Sequence, residues 1–567
     1  MTFIAVPIFV HRAADAEEAL AQAARAASAG ANLIEWRIDE LVEQVEAEIA
    51  VTKLVSDCPL PCILTARRSE EGGEFTGLDV SRSVVIDVAA RCGQPPRYVD
   101  VEEESFRSHH RIWRLILGGD VALILSLHDF IGRPRDLLQR IESMVNEPAC
   151  AVIKVAWMAR SLRDNLQAFD LLAERKKPMI ALCMGRFGLI SRVLAPKFGG
   201  LITFASLEKG DESAPGQPSI AELKSLYRFD SIGRDTRVYG VIGWPVEHSR
   251  SPAVHNAGFE AIGFDGVYLP MPIPPEWEHF KATVGELIDH PRLNFRGASV
   301  TIPHKQNLLR FVEERGGRID DYARLAGAAN TLIVGSAGGL ACANTDAPAI
   351  VAALLPSPPG RGAGGAGEPS MSALSQIPLT LPSPGGRGFR GARIAILGAG
   401  GMARSAVAGL MMHDAAITIF NRTRETAEQL VQEFVAKRAS IESRSIISVG
   451  DAAGLERERY DVYINCTSVG MKDGPAPGQT PFEALDAKNV PFDDGMTVLD
   501  TVYTPSRTPL LEEAAARGAR IMPGSEVFLH QAALQFESWT GKRPPMEMWR
   551  RLLPPPSERG GRGVGEV

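Results

Sequence analysis

Short apolar runs recur with an even rhythm along the first 230 residues. They fall at Phe3–Val10, Leu33–Ile38, Cys62–Ala66, Tyr98–Val101, Val121–Leu127, Ala151–Ala156, Met179–Cys183 and Leu201–Ala205. Each is short and rich in Val, Ile and Leu, the pattern of a strand buried on both faces. Several of the gaps carry apolar positions at helical spacing, most clearly Ala14 to Ala29. Eight strands alternating with helices over about 220 residues is the arithmetic of a (β/α)8 barrel. The pattern predicts an α/β chain whose N-terminal part is such a barrel.

The alternation restarts near Arg237, with VYGVIG as a strand and Pro252 opening a helix after a loop. Farther on, the apolar run Ile394–Leu397 leads into Gly398-Ala399-Gly400-Gly401 and then a helical pattern from Met402 through Ala403 to Val407. Strand, glycine turn and helix together form the context of a dinucleotide fingerprint. Glycines let the backbone approach a pyrophosphate, and the free N–H groups of the helix start attract its charge. A second strand, Ala416–Phe420, ends at Asn421-Arg422-Thr423-Arg424, with no acid before Glu425. Arginine there accommodates a 2′-phosphate where an acid would bind a ribose hydroxyl, so the cofactor expected is NADP. Between these regions lies Pro356 to Gly391, with the near repeat PSPPGRG and PSPGGRG. Such Pro and Gly density buries too little apolar area to offset chain entropy, and disorder is expected.

Composition narrows the classes further. A chain of 567 residues with 45% hydrophobic and 23% charged residues is that of a multidomain globular protein. The net charge of −7 is small for the length, so nothing global points to nucleic acid or membrane partners. The start, MTFIAVPIFVHR, has no basic region ahead of its apolar run, and VALILSL is too short to span a bilayer. Seven scattered cysteines without a C-x-x-C spacing fit reduced thiols, a cytoplasmic setting and no metal. Monomer and homodimer both stay open.

In a barrel, chemistry sits at the C-terminal ends of strands. Those ends carry Glu35 and Arg37, Arg67 with Glu71, His128, Lys154 within its strand, Arg192, and Ser213 to Gln217. The segments EWRID, TARRSEEGGE, SLHDF, VIKVA, SRVLAPKFGG and SAPGQ, in this order, resemble type I 3-dehydroquinate dehydratases across residues 1–230. The resemblance implies that Lys154 forms a Schiff base with the substrate ketone, that His128 moves the proton and that Glu71 orients His128. It also implies that Glu35, Arg37, Arg67, Arg192, Ser213 and Gln217 hold the substrate's carboxylate and hydroxyls. The chemistry asks for these types independently. Loss of water β to a ketone requires removal of a poorly acidic α-proton, and an iminium acidifies it. A lysine between Ile153 and Val155 is expected to be desolvated, which favours the neutral amine that attacks. Histidine suits the proton transfer near neutral pH.

The second half resembles shikimate dehydrogenases, through GASVTIPHK, LAGAANTLIV, ANTD, INCTSVGM, DTVYTPSRTPLL and PGSEVFLHQAA, from about 237 to 548. The resemblance implies a substrate domain at 237–346, the insertion at 356–391, an NADP-binding Rossmann domain at 392–524 and a helix at 525–550 returning to the substrate domain. Ser249, Ser251, Thr301, Asn330, Tyr503 and Gln531 would bind the polyol and carboxylate, with Lys305 and Asp346 serving the proton transfer. Gly398, Ala399, Gly400, Gly401, Met402, Ala403, Asn421, Arg422, Thr423, Arg424, Thr467 and Gly524 would hold the cofactor. One position departs: the family usually has Asn where this chain has Ser299, which would leave one substrate hydrogen bond long or water-filled.

The two resemblances explain each other. Dehydration of 3-dehydroquinate gives 3-dehydroshikimate, which the second half would reduce to shikimate with NADPH. The rivals are a quinate/shikimate dehydrogenase preferring NAD and a non-catalytic metabolite sensor. A sensor would have lost catalytic residues or gained a DNA-binding segment, yet Lys154, His128, Lys305 and Asp346 are all present.

Overall fold

The structure is a computed structural model, and it describes all residues except 117–120, 337, 356–388, 439–440, 442 and 554–567. The chain divides into two compact units. One holds Met1–Val238 with Asp265–Ile273 and Ala282–Asn294, and the other holds Tyr239–Phe264, Pro274–Lys281 and Phe295–Val567.

In the first unit eight strands are present where the apolar runs predict them. They are β1 (Phe3–Phe9), β2 (Leu33–Arg37), β3 (Cys62–Thr65), β4 (Tyr98–Glu102), β5 (Ala122–Asp129), β6 (Cys150–Met158), β7 (Met179–Met184) and β8 (Ile202–Phe204). They form a sheet in the order β7-β6-β5-β4-β3-β2-β1-β8. The two edges approach each other where Leu201 N–H donates to Met179 O at 2.9 Å, so the sheet is a nearly closed barrel. Inside, the period of two along each strand sets up layers. Leu33, Ile63, Tyr98, Ile124, Val152 and Ile180 belong to one buried apolar cluster. Two residues on, at the same face, stand Glu35, Thr65, Asp100, Ser126 and Lys154. A further two give Arg37, Arg67, Glu102 and His128. The apolar layer plugs the barrel, and the polar layers above it form the site.

In the second unit the strands Phe295–Val300, Thr331–Val334, Leu340–Ala343 and Arg318–Ile319 lie side by side in that order. A separate six-stranded parallel sheet runs Ile446–Val449, Ala416–Phe420, Arg393–Leu397, Val462–Asn465, Thr497–Asp500, Arg520–Met522. Counted along the chain, that is 3-2-1-4-5-6, the doubly wound Rossmann order. Both faces are covered: Ile394 and Ile396 join one apolar core, and Ala395 and Leu397 the other.

Two boundaries differ from the sequence reading. Of the insertion 356–391 only Phe389–Gly391 lies among the described residues. Phe389 is buried in the core, and its carbonyl accepts from Ala392 N–H at 2.9 Å, so the lobe starts before Ala392. The single C-terminal helix expected at 525–550 is two helices, Gly524–Thr540 and Met546–Leu552. Gly541 ends the first in a left-handed turn at φ 67°, and Pro544-Pro545 follows. Among the described residues no helix is long and apolar enough to cross a membrane.

Two candidate active sites

Lys154 stands midway along β6, and its Nζ donates to Asp100 Oδ2 at 2.8 Å and lies 3.5 Å from Glu35 Oε1. The flanking Ile153 and Val155 predict apolar surroundings for Lys154; the structure adds this carboxylate, with the Phe204 ring 4.5 Å away. Asp100 is shared, because Arg67 also reaches its Oδ2 at 2.7 Å. Burial alone would raise the Asp100 carboxyl, but the Arg67 and Lys154 charges hold it well below the usual range. Arg67 further donates to Ser126 Oγ at 2.6 Å and meets Glu102 at 3.4 Å. Glu35 accepts from Thr65 Oγ1 at 2.9 Å.

His128, on β5, places Nδ1 3.0 Å from Glu71 Oε2, and the same oxygen accepts the His128 backbone N–H at 2.8 Å. Burial, reinforced by the Arg67 and Lys154 charges, holds the imidazole well below its ordinary value, so it is neutral. Burial pushes the Glu71 carboxyl up to about 7. A neutral ring whose Nδ1–H faces a carboxylate has its Nε2 lone pair available as a base.

The remaining candidates of this unit fall into two groups. Arg37 is paired with Asp39, its guanidinium donating at 3.2 and 2.6 Å. Arg192, in the short helix Leu189–Val193 after β7, is buried with its Nε unpartnered, and burial lowers its guanidinium to about 10. Gln217 Oε1 accepts from Ser213 N–H and Oγ at 2.8 and 3.0 Å, while its buried Nε2 is unpartnered. Their loop is tied to the end of β7 by Gly185 N–H donating to Pro215 O at 2.8 Å. Buried donors with unspent hydrogen bonds suit a ligand bearing oxygens.

In the second unit Lys305 opens the helix Lys305–Glu314, and Asp346 opens Asp346–Leu354. Lys305 Nζ donates to Asp346 Oδ2 at 2.8 Å, and both side chains are buried. Asn330 Oδ1 accepts from Thr345 N–H at 2.8 Å and so fixes the residue before Asp346. Thr301 N–H donates to Ile242 O at 2.8 Å, which brings it beside the strand leading to Ser249 and Ser251. Ser251 N–H donates to Ser249 Oγ at 3.2 Å. Tyr503 packs its ring 5.2 Å from that of Phe528, whose carbonyl accepts from Gln531 Nε2 at 3.0 Å. Ser299 is buried and donates to Gln535 Oε1 at 2.6 Å; its hydroxyl is met by protein.

The glycine turn lies against this pair. A Cβ on Gly401 would stand 3.3 Å from Lys305 Cδ, and one on Gly398 (φ +108°) 2.9 Å from Thr467 Cγ2. Gly400 is the extended N-cap of helix Gly401–Met411, which begins with Met402 and Ala403 and has no acid in its first turn. Asn421 Nδ2 donates to Thr423 O at 2.8 Å, shaping the next loop. Arg424 is engaged by Glu428 at 2.8 Å, whereas Arg422 is exposed and enters no ion pair among the described residues. Ala399, within the turn, is buried in the apolar core, and a Cβ on Gly524 would fall 2.5 Å from Val502 O. An open Gly400, an uncharged helix start and an arginine outside any described ion pair fit a phosphorylated dinucleotide.

Comparison with known proteins bears on both sites. The type I 3-dehydroquinase family matches residues 4–234. The shikimate dehydrogenase substrate binding domain matches 241–332, shikimate / quinate 5-dehydrogenase 385–468, and the shikimate 5′-dehydrogenase C-terminal domain 524–547. A bifunctional 3-dehydroquinate dehydratase/shikimate dehydrogenase of Arabidopsis thaliana is 32% identical over 94% of this chain and 81% of its own length. The chain belongs to the bifunctional dehydroquinate dehydratase/shikimate dehydrogenase family. A shikimate dehydrogenase (NADP(+)) of Paracoccus denitrificans is 37% identical over 54% of this chain and 92% of its own. A crystal structure of a shikimate dehydrogenase with NADP+ is 30% identical, covering 56% of this chain and 94% of its own at a TM-score of 0.43.

Sequence reasoning passed over several residues of these sites. Asp100, Glu102 and Ser126 were legible in principle, by counting in twos from the apolar layer along β4 and β5. Asp39 is the next step of the same count after Leu33, Glu35 and Arg37, whereas Gln535 carries no such signal.

Proposed function

We propose that the two sites divide two consecutive steps between the residues named above. In the barrel, Lys154 Nζ attacks the ketone carbon of 3-dehydroquinate and water leaves, giving an iminium. His128 then takes the acidified α-proton, and the electron pair flows through the enamine to expel the β-hydroxyl as water with a returned proton. Hydrolysis of the iminium by water frees 3-dehydroshikimate and Lys154. Glu71 holds His128 Nδ1, leaving Nε2 for the proton. Arg192 and the Ser213–Gln217 pair supply donors for the carboxylate and hydroxyls, with Glu35, Arg37 and Arg67 shaping the rest.

In the second unit the ammonium of Lys305 gives its proton to the carbonyl oxygen of 3-dehydroshikimate, and Asp346 keeps that ammonium in place. NADPH, when bound, supplies the hydride. The Gly398–Ala403 turn, Asn421–Arg424, Thr467 and Gly524 would hold it, with Arg422 supplying the charge that a 2′-phosphate needs. Ser249, Ser251, Thr301, Asn330, Tyr503 and Gln531 bind the polyol. The domain limits 1–230, 237–346 and 392–524 accompany this division, the last adjusted to begin at Phe389. All seven cysteines are free, which supports a reducing, cytoplasmic compartment.

The observation that carries the reading is Lys154 within the barrel on the strand paired to that of the His128–Glu71 pair, in one chain with the Lys305–Asp346 pair. The test is a coupled assay of the full chain. Dehydroquinate plus NADPH should consume NADPH and yield shikimate. Accumulated dehydroshikimate with no NADPH consumed would refute the second half, and oxidation of quinate with NAD at a higher kcat/KM would replace it.

A further inference from the structure

Asp500 ends the strand Thr497–Asp500 and is fully buried, yet neutral groups surround its carboxylate. Oδ1 accepts from Asn465 Nδ2 at 2.9 Å and from Val502 N–H at 3.0 Å. Oδ2 accepts from Thr508 Oγ1 at 2.6 Å. Burial pushes this carboxyl up to about 6, and the groups pulling it back are those three donors. A buried carboxylate without a cation is costly, and it persists where its hydrogen bonds order something.

Two loops depend on it. Asn465, with its amide nitrogen bound to Asp500, turns Oδ1 to accept from Thr467 N–H at 2.9 Å and Oγ1 at 2.7 Å. Thr467 in turn packs against Gly398 of the nucleotide turn. The same asparagine's carbonyl accepts from Thr501 Oγ1 at 2.8 Å, so the strand ends are cross-tied. On the other side, Val502 N–H fixes the residue before Tyr503, and Thr508 caps the helix Pro509–Ala516. Tyr503 therefore sits in a loop pinned at both ends by one side chain.

We propose that Asp500 is the positioning residue of the reductase site, holding Thr467 against the dinucleotide turn and Tyr503 toward the polyol through one hydrogen-bonded hub. It touches neither ligand and takes no part in proton transfer. The inference rests on the dehydrogenase reading and adds to it how the cofactor-side and substrate-side loops are kept in register.

The experiment compares the wild-type full chain with Asp500→Ala, Asp500→Asn and Thr508→Val, in steady-state kinetics with 3-dehydroshikimate and NADPH. Asp500→Ala frees both loops and should raise KM for both substrates roughly tenfold or more, with kcat within about threefold. Asp500→Asn should rescue both KM values, because its oxygen still accepts from Asn465 and Val502 while its NH2 donates to Thr508 Oγ1. Thr508→Val removes one bond and should raise the KM values about three- to fivefold, a change that Thr508→Ser reverses. Should Asp500→Ala fail to fold, the Asn and Val variants decide alone. Unchanged KM values in Thr508→Val overturn the proposal. An Asn variant with raised KM values overturns it too, since charge and not hydrogen bonding would then matter. A loss confined to kcat would place Asp500 in the chemistry instead. A wild type without reductase activity would sink the dehydrogenase reading first, and this inference with it.

Discussion

Lys154 and Lys305 are both buried, and each donates to a carboxylate oxygen at 2.8 Å. What surrounds the carboxylate differs. Asp100 keeps Arg67 at 2.7 Å when Lys154 turns away, so a neutral, attacking amine leaves that carboxylate a cationic partner. Asp346 has Lys305 as its partner and sits in the first helical turn, where the dipole favours its charge. On the proposed mechanism, a Lys305 that has given up its proton would leave Asp346 facing a neutral amine, a cost that favours prompt reprotonation. A shared carboxylate suits a lysine that must become a nucleophile; a dedicated one suits a lysine that must be an acid again.

The largest expected effect breaks the comparison outright. Lys154→Ala should abolish dehydration and, with it, the adduct that borohydride traps during turnover of dehydroquinate, while shikimate oxidation persists. An adduct surviving in that variant, seen by mass spectrometry of the intact protein, would move the Schiff base elsewhere. Lys305→Ala should do the reverse, lowering reduction by roughly 10²–10⁴-fold and leaving the adduct in place. If either variant lost both activities while still folded, the sites could not be treated separately.

A smaller effect sharpens the contrast, because only one lysine works beside a dinucleotide. Arg422→Ala should weaken NADPH roughly 10- to 100-fold and NADH little, since only NADPH presents a phosphate to that arginine. Equal losses for both would show that the loop does not read the phosphate; titration by fluorescence distinguishes the cases.

The smallest concerns pH. Glu71 has its carboxyl raised from 4.5 to about 7, chiefly by burial. Its contribution to stability is present below about 4.5 and is lost as pH rises through 7, when the buried carboxylate must ionise. Glu71→Gln removes that dependence. The variant should therefore gain on wild type between pH 5 and pH 8, by on the order of 2 kcal/mol. Thermal unfolding at the two pH values measures it, and a constant difference between the proteins would contradict the raised value.

The barrel was legible because eight apolar runs mark eight strands, and their ends moved by only a residue or two. Pairing carries β4 on to Glu102, a polar side chain that the barrel lumen accepts, and β5 to Asp129, whose Oδ1 takes the Ile131 and Gly132 N–H groups of the turn that follows. Asp100 lies inside the run Tyr98–Val101 as one polar letter between two valines, and only its bond to Lys154 gives it a place in the site. Phe389 was hidden at the edge of a Pro/Gly-rich segment whose composition outweighed one aromatic ring. Asn465 bonds Asp500, Gln535 bonds the Ser299 and Thr331 hydroxyls and the Asn330 carbonyl, and no spacing along the chain announces such partners.

The helix Gly524–Thr540 has a consequence for how the protein is made. Its Gln535 donates to Asn330 O and Thr331 Oγ1 across 205 and 204 residues and accepts from Ser299 across 236. Trp539 Nε1 donates to Leu332 O across 207. A ribosome adding about 5–20 residues per second needs roughly 10–40 s to deliver these partners after Asn330 has emerged. The barrel's eight strands are complete by Phe204, so the dehydratase can assemble during that interval. The reductase unit waits for the helix Gly524–Thr540, and a nascent chain cut short before Gly524 is expected to keep all eight barrel strands while lacking the helix that Ser299, Asn330 and Leu332 bond to.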